Sequence, residues 1–226
     1  MIKNYIKEKQ NNSHRFSISG IEVIVKDEIT SDFSVAKVIK TLLGRTPKHL
    51  IKNVKYIKIG NYPEFEKRKI QAMYKYDENS IYVTNKLKSS NDLLDDLFHE
   101  VAHAVEQVHG DFIYSDDKIE KEFLNKRKKM WQTLKNAGFS YPIEEFLNLK
   151  YSEKFDNFLH QNIGYETLHI YLSNLFYSPY GATSLNEYFA NGYEAFFMKQ
   201  EVSRLKRLSP ALYKKLTELL DYEVLQ

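Results

Sequence analysis

Residues Asp92-Leu93-Leu94-Asp95-Asp96-Leu97-Phe98-His99-Glu100-Val101-Ala102-His103-Ala104-Val105-Glu106 carry His-Glu-x-x-His inside an apolar helical pattern. Two histidines four apart stand one turn above each other on a helix, so both imidazoles can reach one metal ion, with Glu100 beside the open coordination position. The flanks agree with a helix. Ser90 or Asn91 can cap its start, Asp92, Asp95 and Asp96 suit its positive first turns, and Gly110 suits its end. Leu94, Leu97, Phe98, Val101, Ala102, Val105 and Val108 recur at helical spacing, which predicts a mostly buried helix. Buried imidazoles and a buried carboxylate need partners. The pattern therefore favours a metal-dependent hydrolase, specifically a zinc one, over two satisfied core histidines.

Working outward, Ile21 to Val25 and Val54 to Ile59 read as strands, and Phe33 to Leu43 has helical spacing ending at Gly44. Gln71 to Tyr76 and Ser80 to Thr84 flank Asp77-Glu78-Asn79 and predict a hairpin leading into the motif helix. From Asp116 onward the patterns are nearly all helical: Asp116 to Asn136, Ile143 to Leu149, Glu153 to His160, Glu166 to Phe176, Leu185 to Lys199 and Ala211 to Tyr222. The expectation is an α+β chain forming a single domain over residues 1–226. Its α/β lobe, residues 1–110, carries the motif helix, its helical lobe spans 111–226, and a substrate cleft is expected where the two meet.

The 226 residues can bury a full core. Lys plus Arg exceed Asp plus Glu by only 33 to 30, and the charges are scattered, so no nucleic-acid partner is expected. The one basic run, Lys126-Arg127-Lys128-Lys129, lies in a helical pattern and reads as a solvated face. With no cysteine in the chain, any metal must use His and carboxylate ligands. No apolar run approaches the roughly twenty residues of a membrane span, and Met1 to Asn12 lacks the apolar centre of a signal peptide.

Catalytic zinc usually takes three protein ligands and keeps one position for water. His109 has the spacing of the third histidine in His-Glu-x-x-His-x-x-Gly-x-x-His proteases. Here, however, Glu106 replaces the glycine that lets the chain turn back, and a continuing helix rotates His109 about 80° away from His99. Glu106 follows His103 by three residues on the same helix, but a ligand from another helix would close the tetrahedron better. Glu187 is such a candidate, in Ser184-Leu185-Asn186-Glu187-Tyr188-Phe189-Ala190-Asn191. Ser184-x-x-Glu187 also fits a capping box, so spacing alone leaves Glu187 equally a ligand or a cap.

The motif His99-Glu100-x-x-His103-Ala104-Val105-Glu106-x-x-x-Gly110, with Tyr180-Gly181 seven residues before Glu187 and then Glu187-Tyr188-Phe189-Ala190, resembles the catalytic domain of the anthrax lethal factor-like zinc metallopeptidases and the related Pro-Pro endopeptidases. The tail from Ser203-Arg204-Leu205-Lys206 through Pro210 to Leu220 is similar as well, whereas residues 1–89 match only in general layout. The resemblance implies a zincin-like fold with a mixed sheet, one Zn2+ bound by His99, His103 and Glu187, Glu100 activating water for peptide-bond hydrolysis, and Tyr180 assisting the transition state. It also implies an exported, toxin-like endopeptidase with a protein or peptide substrate. Two features depart from the family pattern. Asp111 to Ser178 contains inserted helices, and Asn191 stands where the family has an acid one turn after the ligand. Its amide oxygen can still accept a hydrogen bond from a zinc-bound histidine.

Two other readings compete: a cytoplasmic regulatory protease, and a binding module whose zinc is structural and whose Lys126 to Lys129 run meets an acidic partner. Glu166 and His169 have di-iron spacing but lack the second pair such a site needs. His14, His49 and His160 read as surface or packing residues. The strand Ser80 to Thr84 is expected to accept an extended substrate alongside it, with Tyr82 lining a subsite.

Overall fold

The computed structural model describes residues 14–222 apart from positions 69 and 200. The Met1 to Asn12 stretch lies outside the described residues. The chain is α+β, with a five-stranded mixed sheet followed by helices. It divides into two compact units at Val108/His109.

In the first unit the sheet has the order β1-β2-β3-β5-β4, from β1 (His14–Ile18), β2 (Ile21–Val25), β3 (Tyr56–Gly60), β4 (Ala72–Lys75) and β5 (Ser80–Thr84). The β2–β3 and β3–β5 pairs are parallel and the two outer pairs antiparallel. Strand β1 is not apparent from periodicity because its side chains are largely outside the core. It is set instead by Ser19-Gly20, whose φ values of 51° and 86° meet the demand of a two-residue type I′ turn for two positive φ angles. Parallel pairing of β2 with β3 requires a crossover, which helices α1 (Val35–Arg45) and α2 (Lys48–Ile51) supply. Ser34 caps α1 through the Lys37 amide, and Val35, Val38, Ile39 and Leu42 form its buried face. The short α3 (Pro63–Arg68) precedes the β4–β5 hairpin, whose register pairs Tyr74 with Ile81 and Lys75 with Ser80.

The expectation that β5 offers an edge to substrate is overturned, since β5 is paired on both sides and every one of its residues is buried. Among the described residues the outer strands of this sheet are β1 and β4. Tyr82 is committed internally as well. Its hydroxyl donates to Glu78 at 2.6 Å and accepts from Lys58 Nζ at 2.7 Å.

Helix α4 (Ser90–Tyr114) carries the motif. Its start is capped one residue earlier than predicted: Ser89 Oγ accepts the Asp92 amide at 3.2 Å and donates to the Asp92 carboxylate at 2.8 Å. The predicted stop at Gly110 is not observed. Gly110 takes no left-handed conformation, and the helix runs one further turn that buries Ile113. That burial outweighs the roughly 1 kcal/mol a glycine costs within a helix. Val108, expected in the apolar stripe, is 44% exposed, whereas Leu94, Leu97, Phe98, Val101, Ala102 and Val105 are buried.

The second unit contains α5 (Lys118–Asn136), α6 (Ile143–Phe146), α7 (Glu153–Asn157), a π-helical continuation (Phe158–Ile163), α8 (Tyr165–Leu172), a 3-10 turn (Tyr180–Ala182), α9 (Leu185–Met198), α10 (Val202–Leu208) and α11 (Pro210–Asp221). The basic run on α5 is not one solvated face. Lys126 and Arg127 are 7% and 1% exposed, and Lys126 Nζ donates to Ser209 Oγ at 2.7 Å. Burial lowers the Lys126 pKa to about 8, against the opposing pull of Glu122. Only Lys128 and Lys129 of the run face solvent, so the charge expected to meet an acidic partner is halved.

Glu122 joins three helices by accepting the Tyr188 hydroxyl at 2.8 Å and the amides of Ala211 and Leu212 at 2.8 and 3.2 Å. Those amides are early donors of α11 left without intrahelical acceptors, and Pro210 at the first position has no donor to satisfy. Gly192, inside α9, lets Leu212 approach closely. A Cβ there would lie 2.2 Å from Leu212 Cδ2. Gly192→Ala should therefore destabilise the protein by about 1–3 kcal/mol despite the better helix propensity of alanine. Thermal unfolding should show Tm lowered by about 2–10 °C. An unchanged or raised Tm would mean that Leu212 moves aside freely.

Candidate metal centre

His99 and His103 project from the same side of α4, with ring centroids 5.2 Å apart and nearly edge-to-face. Both are half-buried, while Glu100, on the next residue, is 6% exposed. The helix is fixed by more than its apolar stripe. Gln107, one turn after His103, accepts from the Tyr74 hydroxyl at 2.7 Å and from Asn53 Nδ2 at 3.0 Å, and it donates to the Tyr76 carbonyl. Asn79 in the hairpin turn accepts from Asn53 and Tyr74. This amide and phenol network ties the β4–β5 hairpin to the turn of α4 that follows the motif.

One turn after His103 on the helix stands Glu106. It is buried, with Oε2 3.5 Å from His103 Nδ1. A carboxylate at one ring nitrogen favours a proton there and leaves the lone pair on the other, which is how metal-binding histidines are commonly oriented. Glu106, weighed from sequence as a ligand, thus sits in an orienting position. His109 is directed elsewhere. Its ring packs edge-on against Tyr222, with centroids 5.5 Å apart, as the uninterrupted helix dictates.

Glu187 stands in the first turn of α9. Ser184 caps that helix by accepting the Glu187 amide at 3.2 Å. This half of the capping box uses only the Glu187 backbone, so capping and a role for its carboxylate are compatible. Among the described residues, His99, His103 and Glu187 form a group that could hold a metal ion. Each offers one ligand atom, and these atoms lie within 4.8 Å of one another.

Tyr180 opens the 3-10 turn before α9. Burial, with the Glu187 carboxylate as the next cause, raises its phenol pKa well above the ordinary value. The hydroxyl therefore keeps its proton at neutral pH and can donate. Asn191, expected to accept from a metal-bound histidine, instead accepts a short hydrogen bond from Ser178 Oγ, and Ser178 Oγ also accepts the Gly181 amide. Glu166 and His169 are exposed on α8, with no second pair beside them among the described residues. His14 and His160 are exposed, and His49 is buried.

Comparisons with protein-family models, curated proteins and solved structures return no match. No helix among the described residues is long and apolar enough to cross a membrane.

If Glu106 orients His103, Glu106→Ala should weaken metal affinity by about 10–100-fold with little change in fold. Competition against a chromophoric chelator would measure this. Affinity equal to that of the unaltered protein would remove Glu106 from the site.

Proposed function

We propose that this protein is a zinc metalloendopeptidase of zincin type, similar to the lethal factor-like peptidases. The observation that carries the proposal is the His99, His103 and Glu187 group beside the buried Glu100. The donor set suits zinc: two imidazoles and one carboxylate, with no thiolate and room in a four-coordinate shell for water. Tetrahedral ligands about 2.0–2.1 Å from an ion stand roughly 3.3 Å apart. When bound, zinc supplies Lewis acidity that makes water a nucleophile near neutral pH and polarises a peptide carbonyl.

The chain's own groups divide the remaining work. Glu100 takes the proton from water and returns it to the departing amine. The protonated Tyr180 hydroxyl donates to the oxygen that gains charge in the transition state. Glu106 holds the His103 ring in its productive tautomer. No covalent enzyme intermediate is required. The substrate is a protein or peptide, and export to a target outside the producing cell follows from the resemblance alone.

Glu100→Gln should keep zinc and fold yet lose nearly all turnover, whereas Glu187→Ala should lose zinc affinity itself. Mass spectrometry of a diverse peptide library incubated with each zinc-loaded form would test this. Fragments made by the unaltered protein and not by Glu100→Gln support the assignment, and equal cleavage by both would sink it. Tyr180→Phe should leave zinc content intact and lower kcat by about 10², the cost of one lost transition-state hydrogen bond. A kcat unchanged by that substitution would take Tyr180 out of the chemistry.

A further inference from the structure

Arg127 is a cation in the interior of the helical unit, and the proposed chemistry does not use it. Its side chain is 1% exposed. Its guanidinium lies 4.1 Å from the centroid of Phe155 and near the rings of Phe123 and Phe146. Burial lowers its pKa to about 9, against the pull of Glu145, so it still carries its charge at neutral pH. Among the described residues no carboxylate forms an ion pair with it. Instead Nη1 donates to the carbonyls of Ala182 and Thr183, and Nη2 donates to the carbonyl of Glu145 on α6.

The identity of those carbonyls matters. Ala182 and Thr183 connect the 3-10 turn that begins at Tyr180 to Ser184, the cap of the helix bearing Glu187. A chain passing from one helical turn into another leaves buried carbonyls to be satisfied from outside. Here one fork of donors on α5 reaches two consecutive ones. Other bonds hold the same segment: Thr183 Oγ1 donates to the Tyr180 carbonyl at 2.8 Å, and the Leu185 amide donates to the Leu149 carbonyl at 2.8 Å. Each of these ties comes from within the turn or from a loop. Arg127 alone among them ties the turn to a nineteen-residue helix. A buried, unpaired cation costs several kcal/mol in desolvation, and an apolar residue of equal volume would often be at least as stable there. The planar fork supplies direction, which such a residue lacks.

We propose that Arg127 is a positioning residue for the metal site, setting the height and direction of the Tyr180–Glu187 segment from α5. The inference rests on the metallopeptidase reading above and reaches the chemistry only through Tyr180 and Glu187.

The test uses the full chain with Arg127→Met, which keeps apolar volume, and Arg127→Lys, which keeps charge but not the fork. Zinc affinity is measured by chelator competition well below each variant's Tm, beside kcat and KM on a cleaved peptide. Hydrogen exchange of the 181–187 amides is followed in the zinc-free protein. The expected result for both variants is faster exchange across 181–187, zinc binding at least about 10-fold weaker and kcat lowered with KM nearly constant, Lys being the milder. A variant that loses Tm while retaining unaltered zinc affinity, kcat and local exchange would overturn the proposal and leave Arg127 a core residue. If Arg127→Met does not fold, Arg127→Lys decides by the same criteria. An unaltered protein that binds no zinc would overturn the metallopeptidase reading instead, while the exchange measurement still reports whether Arg127 orders the turn.

Discussion

Helix α4 presents the two imidazoles of the candidate centre from one side while its apolar stripe is packed away from water. Leu94, Leu97, Phe98, Val101, Ala102 and Val105 are buried, so the helix cannot roll to expose its apolar stripe without losing about 25 cal/mol for each Å² uncovered. The Gln107 contacts to Asn53 and Tyr74 then fix the helix along its axis. Glu100 is kept among these residues at a desolvation cost that hydration would otherwise remove.

In the helical unit polar order is kept by a different device. Chain reversals leave amides and carbonyls with no partners of their own, and single long side chains on α5 collect them. Glu122 takes donors from the start of α11 together with the Tyr188 hydroxyl. Arg127 takes acceptors from α6 and from the turn before α9. One helix thus satisfies both ends of the backbone's hydrogen-bonding demand. This accounts for two charged positions on α5 that turn inward, the half-buried Glu122 and the buried Arg127.

The helix-borne part of the candidate site is legible in sequence because its residues sit at fixed helical offsets. His99, Glu100, His103 and Glu106 share one helix, whereas for Glu187 the cap spacing is ambiguous and the family resemblance singles it out. The structure adds roles that offsets cannot show: Glu106 against His103 Nδ1, and Asn191 engaged by Ser178. Strand β5 was legible as a strand but not as an interior one, since a short apolar run does not reveal its neighbours. Lys126 and Arg127 were misread because helical periodicity places charge outside by default. Their burial depends on aromatic rings and carbonyls far away in the chain, such as Phe155 and Thr183. Gly110 misled in the opposite way, since the residues after it gain more by burial than the glycine loses.

The missing Cβ of Gly192 also sets a mechanical tolerance. Metal–ligand distances hold to within about 0.2 Å. A carboxylate roughly 5 Å from its helix axis spends that margin in about 2° of roll. Leu212 fills the notch in α9 at Gly192, five residues past Glu187 on the same rigid rod. A side chain seated in such a notch behaves as a detent, resisting rotation in either sense. The angular precision that the proposed ligand role asks of Glu187 would thereby be borrowed from Leu212, which lies outside the candidate site.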